Sequence, residues 1–155
     1  MSMVSRLENY LKEHKVEYHL KVHPEAYTAQ EVAAAAHVPG RELAKVVMLK
    51  KEAGVVMVVL PANCQLDFDK LGTALNEPNV KLAKEDEFEG LFPDCETGAM
   101  PPFGNLYNVP MCIDQHLASA ERLVFNAGNH HETVDMLTKD LLDLTEASIV
   151  NICSN

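Results

Sequence analysis

The sequence predicts one mixed α/β domain of the α+β kind, running over residues 1–155, and three observations carry that expectation. Short runs of strand type outnumber the amphipathic helical segments. The two kinds follow one another irregularly, which disfavours a regular doubly wound sheet. The length, 155 residues, is that of one ordinary domain, and no internal repeat, low-complexity tract or linker divides it.

Each element has a local reason. Val4, Leu7, Leu11 and His14 recur at three-to-four spacing and predict a helix over 3–15. Residues 16–22 alternate apolar and polar, as a half-buried strand does. Thr28-Ala29-Gln30-Glu31 matches a capping box, in which the Thr hydroxyl and the Glu carboxylate satisfy free N–H groups at a helix start. The alanine-rich run 32–36 continues that helix until Pro39-Gly40 stops it, and a short helical turn is expected at 41–45. The apolar runs 46–49 and 55–60 read as a buried hairpin pair turning through 50–54. Asp67 caps a helix to about Leu75, and a strand at 80–82 precedes a short helix at 85–91. Residues 93–110, rich in Pro and Gly, form a long loop or a set of turns. Strands are expected at 111–114, 122–126 and 132–136, then a helix at 138–146 and a last strand at 148–152.

Composition narrows the function classes. Hydrophobic residues at 47% and charged residues at 23% exclude a disordered chain, a collagen and a coiled coil. No apolar run reaches membrane-spanning length, and the N-terminal residues carry no signal-peptide core, so a cytoplasmic protein without a membrane partner is expected. The net charge of −10 argues against non-specific nucleic-acid binding, and no DNA partner is expected. That charge is uneven: residues 1–51 carry a net +2 and residues 52–155 a net −12. Such asymmetry marks either a local anion site or a solvated face. The four cysteines, Cys64, Cys95, Cys112 and Cys153, have no zinc spacing and read as buried small hydrophobes, without a disulfide.

No P-loop, GxGxxG, HExxH or GxSxG occurs, and four segments remain as candidates. His23-Pro24 followed by Tyr27-Thr28 is either a strand-to-helix corner with a cap or part of a site; the corner explains Thr28 fully and His23 in part. Lys45 stands at the mouth of an apolar strand, where it either meets an anion in a pocket or snorkels to solvent. Gly98-Ala99-Met100-Pro101-Pro102-Phe103-Gly104 is a stiff loop, able to present fixed N–H groups to a carbonyl or to serve as a structural turn. In Asn126-Ala127-Gly128-Asn129-His130-His131-Glu132, adjacent histidines on a strand point apart and disfavour a shared metal. A Gly-Asn turn presenting one polar side chain to a pocket fits that segment better.

Together these segments resemble the YbaK/prolyl-tRNA synthetase-associated domain family over nearly the whole chain. The pattern runs through His23-Pro24, Tyr27 to Glu31, Val38 to Lys45, Leu60-Pro61-Ala62, Leu66-Asp67, Gly98 to Gly104 and Asn126-Ala127-Gly128. The resemblance implies a mixed, partly curled β-sheet surrounded by helices. It implies an editing domain that hydrolyses the ester of a wrongly charged small amino acid on tRNA, commonly tRNA(Pro), with no cofactor, metal or protein nucleophile. The implied partners are the aminoacylated acceptor end of tRNA and an aminoacyl-tRNA synthetase.

By the same resemblance Lys45 is the functional lysine, holding the terminal adenosine phosphate or ribose, and 98–102 is the GxxxP loop. Gly98 and Ala99 N–H groups then polarise the ester carbonyl, and Met100 and Pro102 limit the side chain admitted. His23, Thr28, Gly128, Asn129 and His130 complete the substrate-binding set. Two departures bear on specificity. Lys21 stands where some YbaK-type members have tyrosine, and Gly128-Asn129-His130-His131 replaces a basic Gly-Lys-Arg-Gly segment. Cysteine clearance is therefore not implied, and alanine or another small residue is equally open. A catalytically silent tRNA- or synthetase-binding module and a small-ester hydrolase are the competing readings.

Overall fold

The two apolar runs expected to pair do so. In the computed structural model, which describes residues 2–154, strands β2 (Ala44–Lys51) and β3 (Gly54–Pro61) form an antiparallel hairpin with Lys45 opposite Leu60. The expected domain ends, Met1 and Asn155, lie outside the described residues. Gly54 allows the hairpin turn because it takes φ +133°, a region that side chains disfavour.

The remaining elements are α1 (Met3–Glu13), β1 (Tyr18–Val22), α2 (Ala29–Ala35), α3 (Phe68–Leu75), β4 (Lys81–Leu82), α4 (Glu85–Phe88), β5 (Met111–Asp114), α5 (Gln115–Ala118), β6 (Arg122–Asn126), β7 (Glu132–Leu137), α6 (Thr138–Thr145) and β8 (Ser148–Val150). Short 3-10 turns follow at Glu89–Leu91 and Gly104–Leu106. The strands make two sheets rather than one curled sheet. The larger is mixed, in the order β4-β2-β3-β5-β8, with β5 parallel to both β3 and β8. The smaller, β1-β7-β6, is antiparallel throughout. They meet at a parallel bridge between Leu43 and Val124, beside the bond that Val124 N–H donates to Glu42 O. The architecture is mixed α/β, as the sequence predicts.

Alternation along β2 and β3 sorts the interior into two faces. Ala44, Met48, Met57 and Val59 point into the main core with Met3, Leu7 and Leu11 of α1, Met100, Phe103 and Phe125. Leu49, Val56, Val58 and Leu60 point the other way, onto Leu71, Cys112, Ile152 and Cys153. Fully burying one such leucine is worth roughly 1.5–3 kcal/mol, so this two-sided hairpin is a large part of what holds the chain together. A third cluster joins Ala26, Val32, Ala33, Leu43, Ala62 and Val124.

Local structure departs from the expected pattern at several points. Residues 41–45 make no helix: Gly40 to Glu42 turn, Leu43 joins the bridge to β6, and Lys45 lies inside β2. The β-branched Val46 and Val47 and the waiting partner β3 outweigh the weak local helical signal. Helix α1 stops at Glu13, because Lys15 takes φ +58° and Val16 N–H closes back onto Leu11 O. Helix α5 has no sequence periodicity to betray it; it exists because Asp114 caps it by accepting from His116 N–H at 2.8 Å. The last strand ends at Val150, and Ile152 to Ser154 instead pair with Gln65 to Asp67.

Candidate functional site

The loop at 98–102 is built before any ligand is considered. Ala99 N–H donates to Glu96 O at 3.0 Å, closing a tight turn in which Gly98 takes φ +86°. Gly128 locks this turn from the side: its N–H donates to Ala99 O at 3.0 Å, and its carbonyl accepts from Glu96 N–H at 2.8 Å. Gly128 itself takes φ +101°, and a Cβ there would lie 2.6 Å from Met3 Cβ. Ala99 through Gly104 are all buried. The expected pair of carbonyl-polarising N–H groups is therefore altered, because Ala99 N–H is already engaged. Among the described residues the N–H groups of Gly98 and Met100, on either side of it, donate to no carbonyl.

His130 sits against this loop. Its Nε2 lies 3.1 Å from Thr97 O, an atom that only accepts, so Nε2 carries the donated proton. Its Nδ1 is buried and has no partner. The ring Cε1 lies 4.0 Å from where a Cβ on Gly98 would stand. The exposed Tyr27 ring covers it, with centroids 4.7 Å apart. His131, in contrast, turns outward, so the two histidines do diverge, though within the turn before β7 and not on a strand.

The His23 segment joins the same assembly through its backbone. His23 N–H donates to His131 O at 2.8 Å and Ala26 N–H to His130 O at 3.0 Å. The buried His23 ring places Nδ1 2.7 Å from Pro24 O and leaves Nε2 without a partner. Thr28 Oγ1 is committed to the helix start, accepting from Glu31 N–H at 3.1 Å while Thr28 N–H donates to the Glu31 carboxylate at 3.0 Å. Those backbone bonds hold the Glu31 carboxyl below its ordinary range.

Two expectations about side chains change. Asn129 Oδ1 accepts from the N–H groups of His131 and Glu132 at 3.0 and 2.8 Å, and its Nδ2 donates to Glu132 Oε1 at 3.0 Å. The side chain expected to face a pocket instead shapes its own turn. Met100 is 4% exposed and packs in the main core with Met3, Phe103 and Ala127, so its side chain lies beneath the loop and not on its surface.

Lys45 approaches from the other side. Leu43, Lys45, Val47 and Leu49 share one face of β2. Leu43 packs with Ala26 of the His23 segment, whereas Val47 and Leu49 belong to the second cluster, so Lys45 stands between them. Its Nζ donates to Cys64 O at 3.0 Å, and among the described residues no carboxylate pairs with it. The structure thus joins the loop to Gly128 directly and to His130 through Thr97 O, and joins the segment from His23 to Ala26 to His131 and His130 through backbone bonds; Lys45 adjoins this assembly only along the chain, two residues after Leu43, which packs with Ala26 and Ala62.

The protein-family comparison fits this arrangement: a model described as the aminoacyl-tRNA editing domain matches residues 23–144, which include every candidate residue above. The chain belongs to that family. Among curated proteins, a proline–tRNA ligase of Thermosipho africanus is 32% identical over 64 residues, 41% of the chain but 11% of the ligase's own length. Among solved structures, a candidate trans-editing enzyme for prolyl tRNA synthetase superposes with TM-score 0.84 at 21% identity, covering 100% of this chain and 99% of that one. The hypothetical protein APE2540 gives TM-score 0.84 at 23% identity over 96% of this chain and 99% of that one. At those identities the likeness is one of fold.

Three thiols of the chain are unsuited to nucleophilic attack at neutral pH. Burial pushes Cys95 up to about 11, despite a hydrogen bond with Tyr107, and likewise Cys112 up to about 11. Burial pushes Cys153 higher still. Sequence spacing missed one cluster: Asp114, His116 and Cys153 bring ligand-type atoms within 4.8 Å of one another. Its members have structural duties, since Asp114 accepts from Ile152 N–H at 3.0 Å and from His116 N–H at 2.8 Å. Sequence reasoning also passed over Glu96, whose backbone is bonded to both Gly128 and Ala99. It lines a cleft of about 550 Å³ with Met3, Asp94, Gly128 and Asn129. Lys45 is not in that wall.

Proposed function

We propose that this chain is a trans-editing aminoacyl-tRNA deacylase, hydrolysing the ester of a small amino acid wrongly attached to tRNA, with tRNA(Pro) as the tRNA served. The observation that carries the reading is the loop at 98–102, bonded to Gly128 and backed by buried His130, inside a segment that matches the aminoacyl-tRNA editing domain. An aminoacyl ester is already activated, so positioned water and charge stabilisation suffice. The fold offers fixed donors for that purpose, and three of its four thiols are too weakly acidic to attack.

In this mechanism the ester carbonyl oxygen lies at the free N–H of Gly98, with Met100 N–H beside it in place of Ala99. Water, oriented by the ribose hydroxyl next to the ester, attacks the carbonyl carbon. The C–O bond to the ribose then breaks, giving free amino acid and tRNA with its terminal hydroxyl restored. Lys45 exchanges the Cys64 carbonyl for a phosphate or ribose oxygen of the terminal adenosine. His130 and His23 line the amino-acid side of the loop, and Pro102 with buried Met100 fixes how large a side chain fits. The whole of 1–155 acts as one such unit in the cytoplasm. The net charge of −10 favours weak tRNA affinity aided by a synthetase partner.

The test is a deacylation panel of tRNA(Pro) charged with Ala, Cys, Ser or Pro. Turnover of one small mischarged residue, with Pro-tRNA(Pro) spared, is expected. Retained tRNA binding without turnover on any of them would replace this reading with that of a silent binding module. Activity that ignores added salt would point to a small-ester hydrolase, since tRNA binding falls steeply with salt.

A further inference from the structure

Glu96 differs from the other carboxylates around the 98–102 loop. Asp94 is paired with Arg6 at 3.3 Å and accepts from the Tyr107 hydroxyl at 2.7 Å. Glu132 holds the Asn129 amide at 3.0 Å. Glu96 has no lysine or arginine within ion-pair distance among the described residues; the nearest charged-type partner is His130 Nε2, 4.0 Å away and already donating to Thr97 O. Its backbone is nonetheless fixed on both sides, by Gly128 O and Ala99 N–H, and its side chain is 47% exposed at the rim of the cleft. The backbone thus fixes where the residue stands, and its exposed carboxylate, without a counter-ion and two residues from the free Gly98 N–H, matches a small cation.

A second observation points the same way. His130, 9% exposed at its side chain, keeps its buried Nδ1 unpartnered, and the neighbouring ring atom Cε1 lies 4.0 Å from where a Cβ on Gly98 would stand; a donor-bearing ligand would satisfy that nitrogen. The Tyr27 ring over that histidine adds an exposed electron-rich face near the same carboxylate. An aminoacyl ester has one cation, its α-ammonium, placed one carbon from the carbonyl.

We propose that Glu96 reads the α-ammonium of the aminoacyl group, so that this site accepts a free amino acid ester and rejects one whose amine is acylated, as in a peptidyl-tRNA. This inference rests on the deacylase reading for the identity of the ester. Glu96 is a specificity residue in it, setting the orientation of the amino acid against Gly98.

The experiment uses the full chain and hydrolysis-resistant amide analogues, 3′-alanylamino-3′-deoxyadenosine with its amine free or N-acetylated, measured by calorimetry on wild type and Glu96→Gln. A charge-assisted contact makes the wild type prefer the free amine by about 10-fold or more, and Glu96→Gln brings that preference to within about 2-fold. Equal wild-type affinity for the two analogues, no binding of either, or a Glu96→Gln loss that is the same for both would overturn the proposal. Turnover of tRNA(Pro) charged with any of Ala, Cys or Ser by the same wild-type protein separates the two readings. Amine discrimination without turnover removes the deacylase and keeps the ammonium site, whereas turnover without discrimination does the reverse.

Discussion

The two halves of the candidate site are built on different principles. The loop half, Glu96 to Pro102 with Gly128 and His130, is held by backbone bonds within itself and to its neighbours, and its residues from Ala99 onward are buried. The lysine half hangs on one contact, Lys45 Nζ to Cys64 O, from a strand whose neighbours on that face belong to a separate core cluster. A site that must hold a carbonyl oxygen in one place needs fixed donors. A site that must grip and release a polynucleotide end is better served by a mobile cation with a replaceable partner. The difference predicts that damage to the first half shows in stability and activity together, and damage to the second in activity alone.

Gly128→Ala tests the first half most severely. The new Cβ would lie 2.6 Å from Met3 Cβ and 2.8 Å from Met3 Cγ, at φ +101°. Left-handed strain and overpacking each cost about 1–3 kcal/mol, so an unfolding free energy lower by about 2–6 kcal/mol is expected in urea titration, with deacylation lost. Gly98→Ala is the control: at φ +86° its nearest neighbour is 4.0 Å away, so strain acts alone and the loss is the smaller of the two. Equal losses would mean that the close approach of α1 to Gly128 contributes nothing.

Lys45→Met probes the second half. The variant keeps the apolar stem and removes the ammonium, so stability changes by no more than about 1 kcal/mol, the ordinary worth of one hydrogen bond. Deacylation of mischarged tRNA falls by about 10- to 100-fold, the usual range for a lost contact to a charged group. A variant that unfolds more easily and edits at the wild-type rate would reverse the assignment of the two halves.

How much of this was legible in the sequence depends on whether a residue's duty is local. The capping box at Thr28, the hairpin of β2 and β3 and the cap at Asp67 depend on neighbours in sequence, and each forms where the pattern puts it. Lys45 was legible as a cation at a strand mouth, but its place inside β2, with the turn ending at Glu42 and not at 45, was not, because β3 and β6 decide it. Asn129 and Ala99 were misjudged for one shared reason. A polar group in a Gly-rich turn reads as available until the turn's own bonds are known, and both are consumed by theirs. Glu96 escaped notice because nothing in its immediate sequence shows that Gly128, thirty-two residues on, bonds its backbone.

Asp114 lies behind the lysine half and gives a pH handle on it. Its carboxylate accepts from Ile152 N–H and from His116 N–H and Nδ1, fixing the C-terminal segment that pairs with Gln65 to Asp67, next to Cys64. Burial alone would raise this carboxyl, but the bonds from Ile152 and His116 outweigh it and hold it below its ordinary value. Its stabilisation is therefore complete above the unfolded value of about 3.9 and is lost as pH falls through the lower folded value. Asp114→Asn turns an amide N–H toward an existing donor and costs about 1–3 kcal/mol at pH 7. The gap between wild type and variant narrows as pH falls below about 4, where the unfolded chain binds the proton first, and closes once the folded wild type has lost its own carboxylate. A gap that stays constant down to pH 2 would show that packing, and not the charge, holds this corner.

The smallest effect expected is at Thr28, and it asks whether the loop half extends into α2. Both members of its capping box are satisfied locally, Thr28 Oγ1 by Glu31 N–H and the Glu31 carboxylate by Thr28 N–H. Thr28→Ala removes one cap bond and costs about 1 kcal/mol, while Thr28→Ser, which keeps the hydroxyl, recovers most of it. If the hydroxyl serves only the helix, KM and kcat for the mischarged tRNA stay at wild-type values in both variants once the proteins are folded. If it also touches substrate, KM rises in Thr28→Ala and returns in Thr28→Ser. Because Ala26 and Tyr27 just before it meet His130 directly, a kinetic defect at Thr28 would move the edge of the rigid half by one residue and assign α2 to the site.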